Sequence, residues 1–270
     1  MLGLGLGINR GSVSEQPKLV TNAKSMEFGG TNEVIDLYRS SDIMGSGTNL
    51  SFSYWVKYTI TSQFRIVHPA KGASGSSAIV LGHNRNAAGS TATNYLVIGL
   101  FDGVSNFDYV DVEVDDLNDG EWHHIVFTVT DGAQVIYVDG QSKVTGTISS
   151  WTNSSSTHRM SIGGRNQGSG IADAFVGHAD EVGIWTSVLT QAEVTALYEN
   201  KSLDLNSNSV GYVSSSSLVG WWRMGDGDND LGHTQIMEVF VQNMANSYSL
   251  GTEKVTNGTM EADSDWDDYG

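Results

Sequence analysis

The stretch Asp119-Gly-Glu-Trp-His-His-Ile-Val-Phe-Thr-Val-Thr-Asp-Gly-Ala-Gln-Val-Ile-Tyr-Val-Asp-Gly140 decides the fold. Apolar and polar residues alternate from His124 to Thr130, Asp131-Gly132 interrupts, and the run from Gln134 to Val138 returns. Successive side chains of an extended chain point to opposite faces, so runs of this kind read as strands with one buried face. Two of them around an Asp-Gly pair form a β-hairpin, and Asp139-Gly140 marks the next turn by the same logic.

Working outward, Ser51-Phe-Ser-Tyr-Trp-Val-Lys57 and Tyr95-Leu-Val-Ile-Gly-Leu-Phe101 repeat the strand texture. The chain has 32 glycines and 2 prolines, with Gly, Asn, Ser and Asp punctuating short β-rich runs throughout, the pattern of an all-β sandwich or barrel. One stretch reads as helix: Leu189-Thr-Gln-Ala-Glu-Val-Thr-Ala-Leu-Tyr198, where Thr190 and Glu193 have capping-box spacing and Val194, Leu197 and Tyr198 share a face. A Ser/Asn-rich linker from Ser207 to Ser217 then leads into the bulky strand Leu218-Val-Gly-Trp-Trp-Arg-Met224.

Composition bounds the function. The 270 residues can bury a full core without covalent help, in keeping with the absence of cysteine. Acidic residues outnumber basic ones 31 to 14, and a net charge of -17 repels phosphate backbones, so nucleic acid is not an expected partner. No apolar run approaches the roughly 20 residues of a membrane span, so membrane insertion is not expected either. The start, Met1-Leu-Gly-Leu-Gly-Leu-Gly-Ile-Asn-Arg10, lacks the layout of a secretion signal. It reads as an apolar arm that docks on a neighbouring protein or as a disordered terminus.

Six segments, in order, resemble the laminin-G-like jelly rolls of the concanavalin-A-like lectin/glucanase family. They are Met26 to Leu37, Phe52-Ser-Tyr-Trp-Val56, Asp119 to Val126, Val135-Ile-Tyr-Val-Asp-Gly140, Phe175-Val-Gly-His-Ala-Asp-Glu-Val-Gly-Ile-Trp185 and the helix after it. The resemblance covers about residues 21 to 200 and implies a two-sheet antiparallel β-sandwich (a jelly roll) with one short helix and terminal extensions. The expected division is a docking arm over 1–20, the sandwich over 21–225, and a C-terminal extension over 226–270. The strand Leu218 to Asp226 resembles one that usually opens such domains, so it either closes this sandwich in permuted order or begins a second module. Lys254 to Trp266 resembles the first strand of another carbohydrate-binding module family, cut short.

Three chemistries are open to such a fold. Glucanases of this fold carry alternating carboxylates on one strand; Asp111, Glu113 and Asp115 alternate here, but with the aspartates outside and the glutamate in the middle, the reverse of the enzymes' order. They read as a solvated edge strand, so no catalytic residue is assigned. Calcium would suit Asp226, Asp228 and Asp230 in Asp226-Gly-Asp-Asn-Asp-Leu-Gly232, although the spacing departs from a helix-loop-helix site and a solvated acidic turn is the competing reading. For a sugar, ring faces beside amide groups are the signature. Trp151 with Asn153 in a Ser/Thr-rich loop is one candidate, and His83-Asn84-Arg85-Asn86 is the other. Trp55, Trp122 and Trp185 are assigned to the core.

The Leu/Gly-rich start, the sandwich and Gly220-Trp-Trp-Arg-Met-Gly-Asp226 together resemble virion proteins of marine tailed phages. That resemblance implies a capsid decoration or fibre-type subunit on the phage particle surface, docked on other virion proteins, able to form homo-oligomers and to meet host-surface polysaccharide. A carbohydrate-binding module of a larger secreted or cell-surface protein is the alternative, and a glucanase-like hydrolase the third reading.

Overall fold

The computed structural model describes residues 17–30, 33–39, 43–69, 79–101, 107–148, 151, 159–166, 171–226, 240–241 and 255–256. In chain order the strands begin with β1 (Ser25–Gly29), β2 (Ile35–Arg39), β3 (Leu50–Lys57), β4 (Val67–His68), β5 (Ile79–Arg85) and β6 (Thr91–Phe101). They continue with β7 (Phe107–Glu113), β8 (His123–Thr130), β9 (Ala133–Val138), β10 (Gln141–Gly146), β11 (Arg159–Ile162) and β12 (Arg165–Asn166). The last are β13 (Ile171–Ala172), β14 (Val176–Trp185), β15 (Leu218–Trp222), β16 (Phe240–Val241) and β17 (Val255–Thr256).

The hairpin read from the sequence forms as β8 and β9, with Thr130 facing Ala133 across Asp131-Gly132. Asp139 and Gly140 both adopt positive φ (50° and 76°), the two left-handed residues that a type I′ turn needs to match strand twist. Val138 therefore faces Gln141, and β10 continues the sheet. The large sheet runs β10-β9-β8-β3-β14-β1-β17, with β15 also on β14. The opposing layer is segmented into β16-β2-β11-β4 and β5-β6-β7, bridged by Phe64 and His83. Alternation supplies the core: Phe52, Tyr54 and Val56 of β3 and Ile125, Phe127 and Val129 of β8 meet Leu81, Ile98 and Met160. Each such side chain contributes about 1.5–3 kcal/mol by leaving water. The fold is an all-β antiparallel sandwich.

A third layer covers part of the large sheet's outer face. Helix α1 (Gln191–Glu199) starts at Thr190, whose Oγ1 accepts the N–H of Glu193 while the Glu193 carboxylate accepts the N–H of Thr190 at 2.9 Å. This is the capping box read from the sequence. Val194 and Leu197 of α1, with Leu203, Leu205 and Tyr212 after it, pack on Val126, Tyr137, Trp185 and Trp221.

Strand β14 organises the junction. Its first half pairs with β1 (Gly29 with Val176) and its second half with β15 (Gly183 with Trp221), so β15 joins the same sheet. Between the halves the register against β3 shifts from Asp180 to Gly183, and Glu181 sits at φ 48°, a left-handed backbone at a bulge. Bulges bend the strand and re-aim side chains.

Candidate functional site

Where the third layer ends, no other described residues cover the outer face of the large sheet next to Trp55. Ser53, Trp55 and Lys57 of β3 point to this face, because Phe52, Tyr54 and Val56 fill the core. Trp55 is directly opposite His124 on β8 and Asp180 on β14. One row of three strands therefore presents an aromatic ring between an imidazole and a carboxylate. The Trp55 ring lies 5.1 Å from the His124 ring and stacks on Tyr198 of α1 at 5.8 Å. Both Trp55 and Trp122 stay partly exposed. Trp122, just before β8, rests against His178 at 6.3 Å.

These rings border a cavity of about 200 Å³, closed by residues 22–25 on one side and by Asp180 and Lys201. Behind Trp55 lies a void of about 10 Å³, the room of one water molecule, touched by Ser53, His124 and Glu181. His124 is buried, shares a 2.8 Å hydrogen bond with Ser53 through Nε2 and leaves Nδ1 without a partner. Burial pushes its pKa down to about 3, so the ring is neutral.

A polar seam holds the cavity wall in place. The Asn22 amide donates to the Lys201 carbonyl at 2.9 Å and to Glu181 Oε1 at 3.1 Å. Asp226 Oδ2 accepts the N–H groups of Ala23 (2.6 Å) and Lys24 (2.8 Å). Arg223, 2% exposed, donates to Glu181 at 3.3 Å and to the Thr21 carbonyl, and lies over the Trp221 ring at 5.0 Å. Trp221 Nε1 donates to the second Glu181 oxygen. Glu181 is thus consumed by structure. Asp180 beside it accepts the Glu181 N–H at 2.8 Å and a side-chain hydrogen bond from Asn22. Burial, with the negative charge of Asp226 adding to it, pushes its carboxyl up to about 7.

The residues singled out in the sequence lie elsewhere. Trp151 is 5% exposed and packs in the main core; Asn153 lies outside the described residues. His83 is fully buried, hydrogen-bonded to the Tyr54 hydroxyl at 2.7 Å and stacked on Phe64 at 4.5 Å. Asn84, also buried, donates to the Ile60 carbonyl at 2.8 Å and accepts the Asn94 N–H at 3.0 Å. Arg85 donates to Gln63 at 3.0 Å, and Asn86 accepts the Ser90 N–H at 3.0 Å in the β5–β6 turn. The amide groups that suit sugar hydroxyls suit turns equally well, and here the backbone takes them. Of the acidic loop, Asp226 anchors residues 23 and 24, while Asp228 and Asp230 lie outside the described residues. Among the described residues no group of three His, Asp or Glu side chains could hold a metal ion. Asp111 accepts the Ala87 N–H at 2.7 Å and Glu113 accepts the Tyr95 hydroxyl at 3.2 Å, on the edge strand β7.

Residues 29–195 match the family model described as the Concanavalin A-like lectin/glucanases superfamily. No curated protein matches the chain. Among solved structures, a Bacteroides ovatus ATCC 8483 protein named for carbohydrate binding is 19% identical with a TM-score of 0.55, over 79% of this chain and 54% of its own. The chain spans about half the length of that protein. Domain 4 of AbnA, a GH43 extracellular arabinanase from Geobacillus stearothermophilus in complex with arabinotriose, is 20% identical with a TM-score of 0.44, over 60% and 71% of the two chains. Domains LG4-5 of the mouse laminin alpha1 chain are 15% identical with a TM-score of 0.45, over 61% and 41%. At 19% identity and a TM-score of 0.55, the likeness to the Bacteroides ovatus protein is one of fold.

Proposed function

Because the chain belongs to the concanavalin A-like lectin/glucanase superfamily, we propose that it binds glycans, without cleaving them, in the groove between Trp55 and Trp122. The observation that carries this reading is the pair of partly exposed indoles bordering a cavity of about 200 Å³ that also presents Asn22, Asp180, Lys24 and Lys201. Sugar rings lay their C–H faces on indoles while amide, carboxylate and ammonium groups fix the hydroxyls. Cleavage needs two carboxylates about 5 Å or 6.5–9.5 Å apart across the bond. Among the described residues lining this cavity Asp180 is the one carboxylate, and the neighbouring Glu181 is tied to Trp221 and Arg223.

The setting we propose is a phage particle surface, with the chain as a capsid decoration or fibre-type subunit whose sandwich meets host polysaccharide. The motif series, the Leu/Gly-rich start and the acidic body support that setting.

A glycan array tests the binding reading: the full chain retains at least one glycan, releases no reducing ends from it, and loses it on Trp55→Ala. A bound glycan that is degraded would return the protein to the hydrolases. The setting is tested by rebinding to particles stripped of this subunit, comparing the full chain with one lacking residues 1–12. Rebinding by the full chain alone supports the decoration role. Absence of rebinding by either, with a glycan retained, favours a module of a larger secreted or cell-surface protein.

A further inference from the structure

Charge at the groove runs against charge in the rest of the molecule. Acidic residues outnumber basic ones 31 to 14, so an ammonium group here has carboxylates in excess to pair with. Lys24 and Lys201 both line the 200 Å³ cavity, yet among the described residues neither side chain forms a hydrogen bond or an ion pair. Their contacts run through the backbone alone: the Lys24 N–H to Asp226 and the Lys201 carbonyl from Asn22. Those two bonds fix where the side chains start and leave both ammonium groups unpaired among the described residues.

Among the described residues, the nearby carboxylates Glu181 and Asp226 are engaged elsewhere. Glu181 faces Arg223 and Trp221. Asp226 takes the N–H groups of residues 23 and 24, and its own carbonyl accepts from Arg223. Glu27, exposed on β1, lies in the row of His178 and Lys57. Asp180 remains on the cavity floor with its carboxyl pushed up towards neutrality by burial, so near pH 7 it is present in part as an uncharged donor.

We propose that the groove selects anionic sugars, with a carboxylate or sulfate group held between the ammonium groups of Lys24 and Lys201 while the ring rests on Trp55. This rests on the glycan-binding reading above and narrows it to a substrate class. Two positive groups beside a ring platform distinguish a charged sugar from its neutral analogue by attraction across a partly exposed site. The net charge of -17 repels anionic polymers from the molecule as a whole, so the two ammonium groups favour their approach at the groove.

The test is an array that pairs uronic-acid oligosaccharides with their methyl esters, alongside neutral and sulfated oligosaccharides, probed with the full chain. Esterification keeps shape and removes charge. The proposal expects each bound uronate to be held about 2- to 30-fold more tightly than its ester, the range of two partly exposed ion pairs. The advantage shrinks between 0.02 and 0.5 M salt, since screening shortens with ionic strength. The double variant Lys24→Gln/Lys201→Gln abolishes the advantage, whereas Lys143→Gln on β10, at the far edge of the sheet, leaves it intact. Equal binding of acid and ester, both lost on Trp55→Ala, overturns the anionic proposal and leaves glycan binding standing. Retention of no glycan overturns both. Polyglutamate competing as well as the uronate would show charge without sugar recognition, and that also overturns the proposal.

Discussion

Strands β3, β8 and β14 pass under two different environments on one face of the large sheet. At one end Trp185 is fully buried beneath α1 and Tyr212, with Nε1 donating to the Tyr212 hydroxyl at 2.9 Å. At the other end Trp55, on the same face, stays partly exposed above the cavity. Residue type and strand context are the same. What differs is whether a segment from elsewhere in the chain comes to lie on top. The covered end is a second core; the open end is a surface platform whose aromatic ring is already braced by His124 and Tyr198.

The largest effect should come from the covered end. Trp185→Ala removes a fully buried indole and its hydrogen bond to the Tyr212 hydroxyl, and should cost about 3–5 kcal/mol of unfolding free energy in urea titrations. Trp55→Ala, removing a ring that solvent already reaches, should cost on the order of 1 kcal/mol. Equal costs would erase the distinction between the two ends.

Asp180 marks the boundary, and its ionisation sharpens the comparison. Its folded pKa, about 7, lies above the ordinary 3.8. As pH rises past 4 the unfolded chain releases this proton while the folded chain holds it, so the group costs stability progressively and in full above pH 7. Asp180→Asn should therefore gain on the order of 2–4 kcal/mol at pH 8 and almost nothing at pH 4, read from denaturant midpoints at the two pH values. A gain independent of pH would refute the buried, strained carboxyl.

A smaller effect is expected at the edge of the covering layer. Thr190→Ala deletes one half of the capping box, and should lower stability by about 1 kcal/mol in the same titrations. The loss also loosens the helix whose last turn carries Tyr198 onto Trp55, so ligand affinity should fall modestly. Intact affinity would mean that the Tyr198 brace is dispensable.

Local pattern carried much of the fold. The Asp131-Gly132 and Asp139-Gly140 turns, the alternation in β3 and β8 and the Thr190–Glu193 box each specify their own geometry within a few residues, and each forms. The candidate groove was far less legible. Trp55 shares its strand face with Ser51, Ser53 and Lys57, a polar alternation that sets it apart from Phe52 and Tyr54. Yet whether that face is covered depends on residues 203–212, distant in sequence. Asn22 meets Lys201 across 179 positions of chain, a contact no local spacing announces. Conversely, the polar residues around Trp151 suggested exposure, although the ring itself is packed inside. Polar flanks describe the loop and not the side chain that anchors it. His83 shows the same limit, since its partner Tyr54 and its stacking ring Phe64 come from separate segments.

The central claim is that the open end of the sheet is the binding platform, and calorimetric titration with the best array glycan tests it most directly. Wild type and Trp55→Ala would be titrated side by side, with unfolding curves recorded on both. The account predicts that Trp55→Ala loses affinity by about 10-fold or more, the loss of an aromatic anchor truncated in a binding site, while remaining folded. A folded Trp55→Ala protein that binds with wild-type affinity would contradict it and move the glycan site to another face of the sandwich.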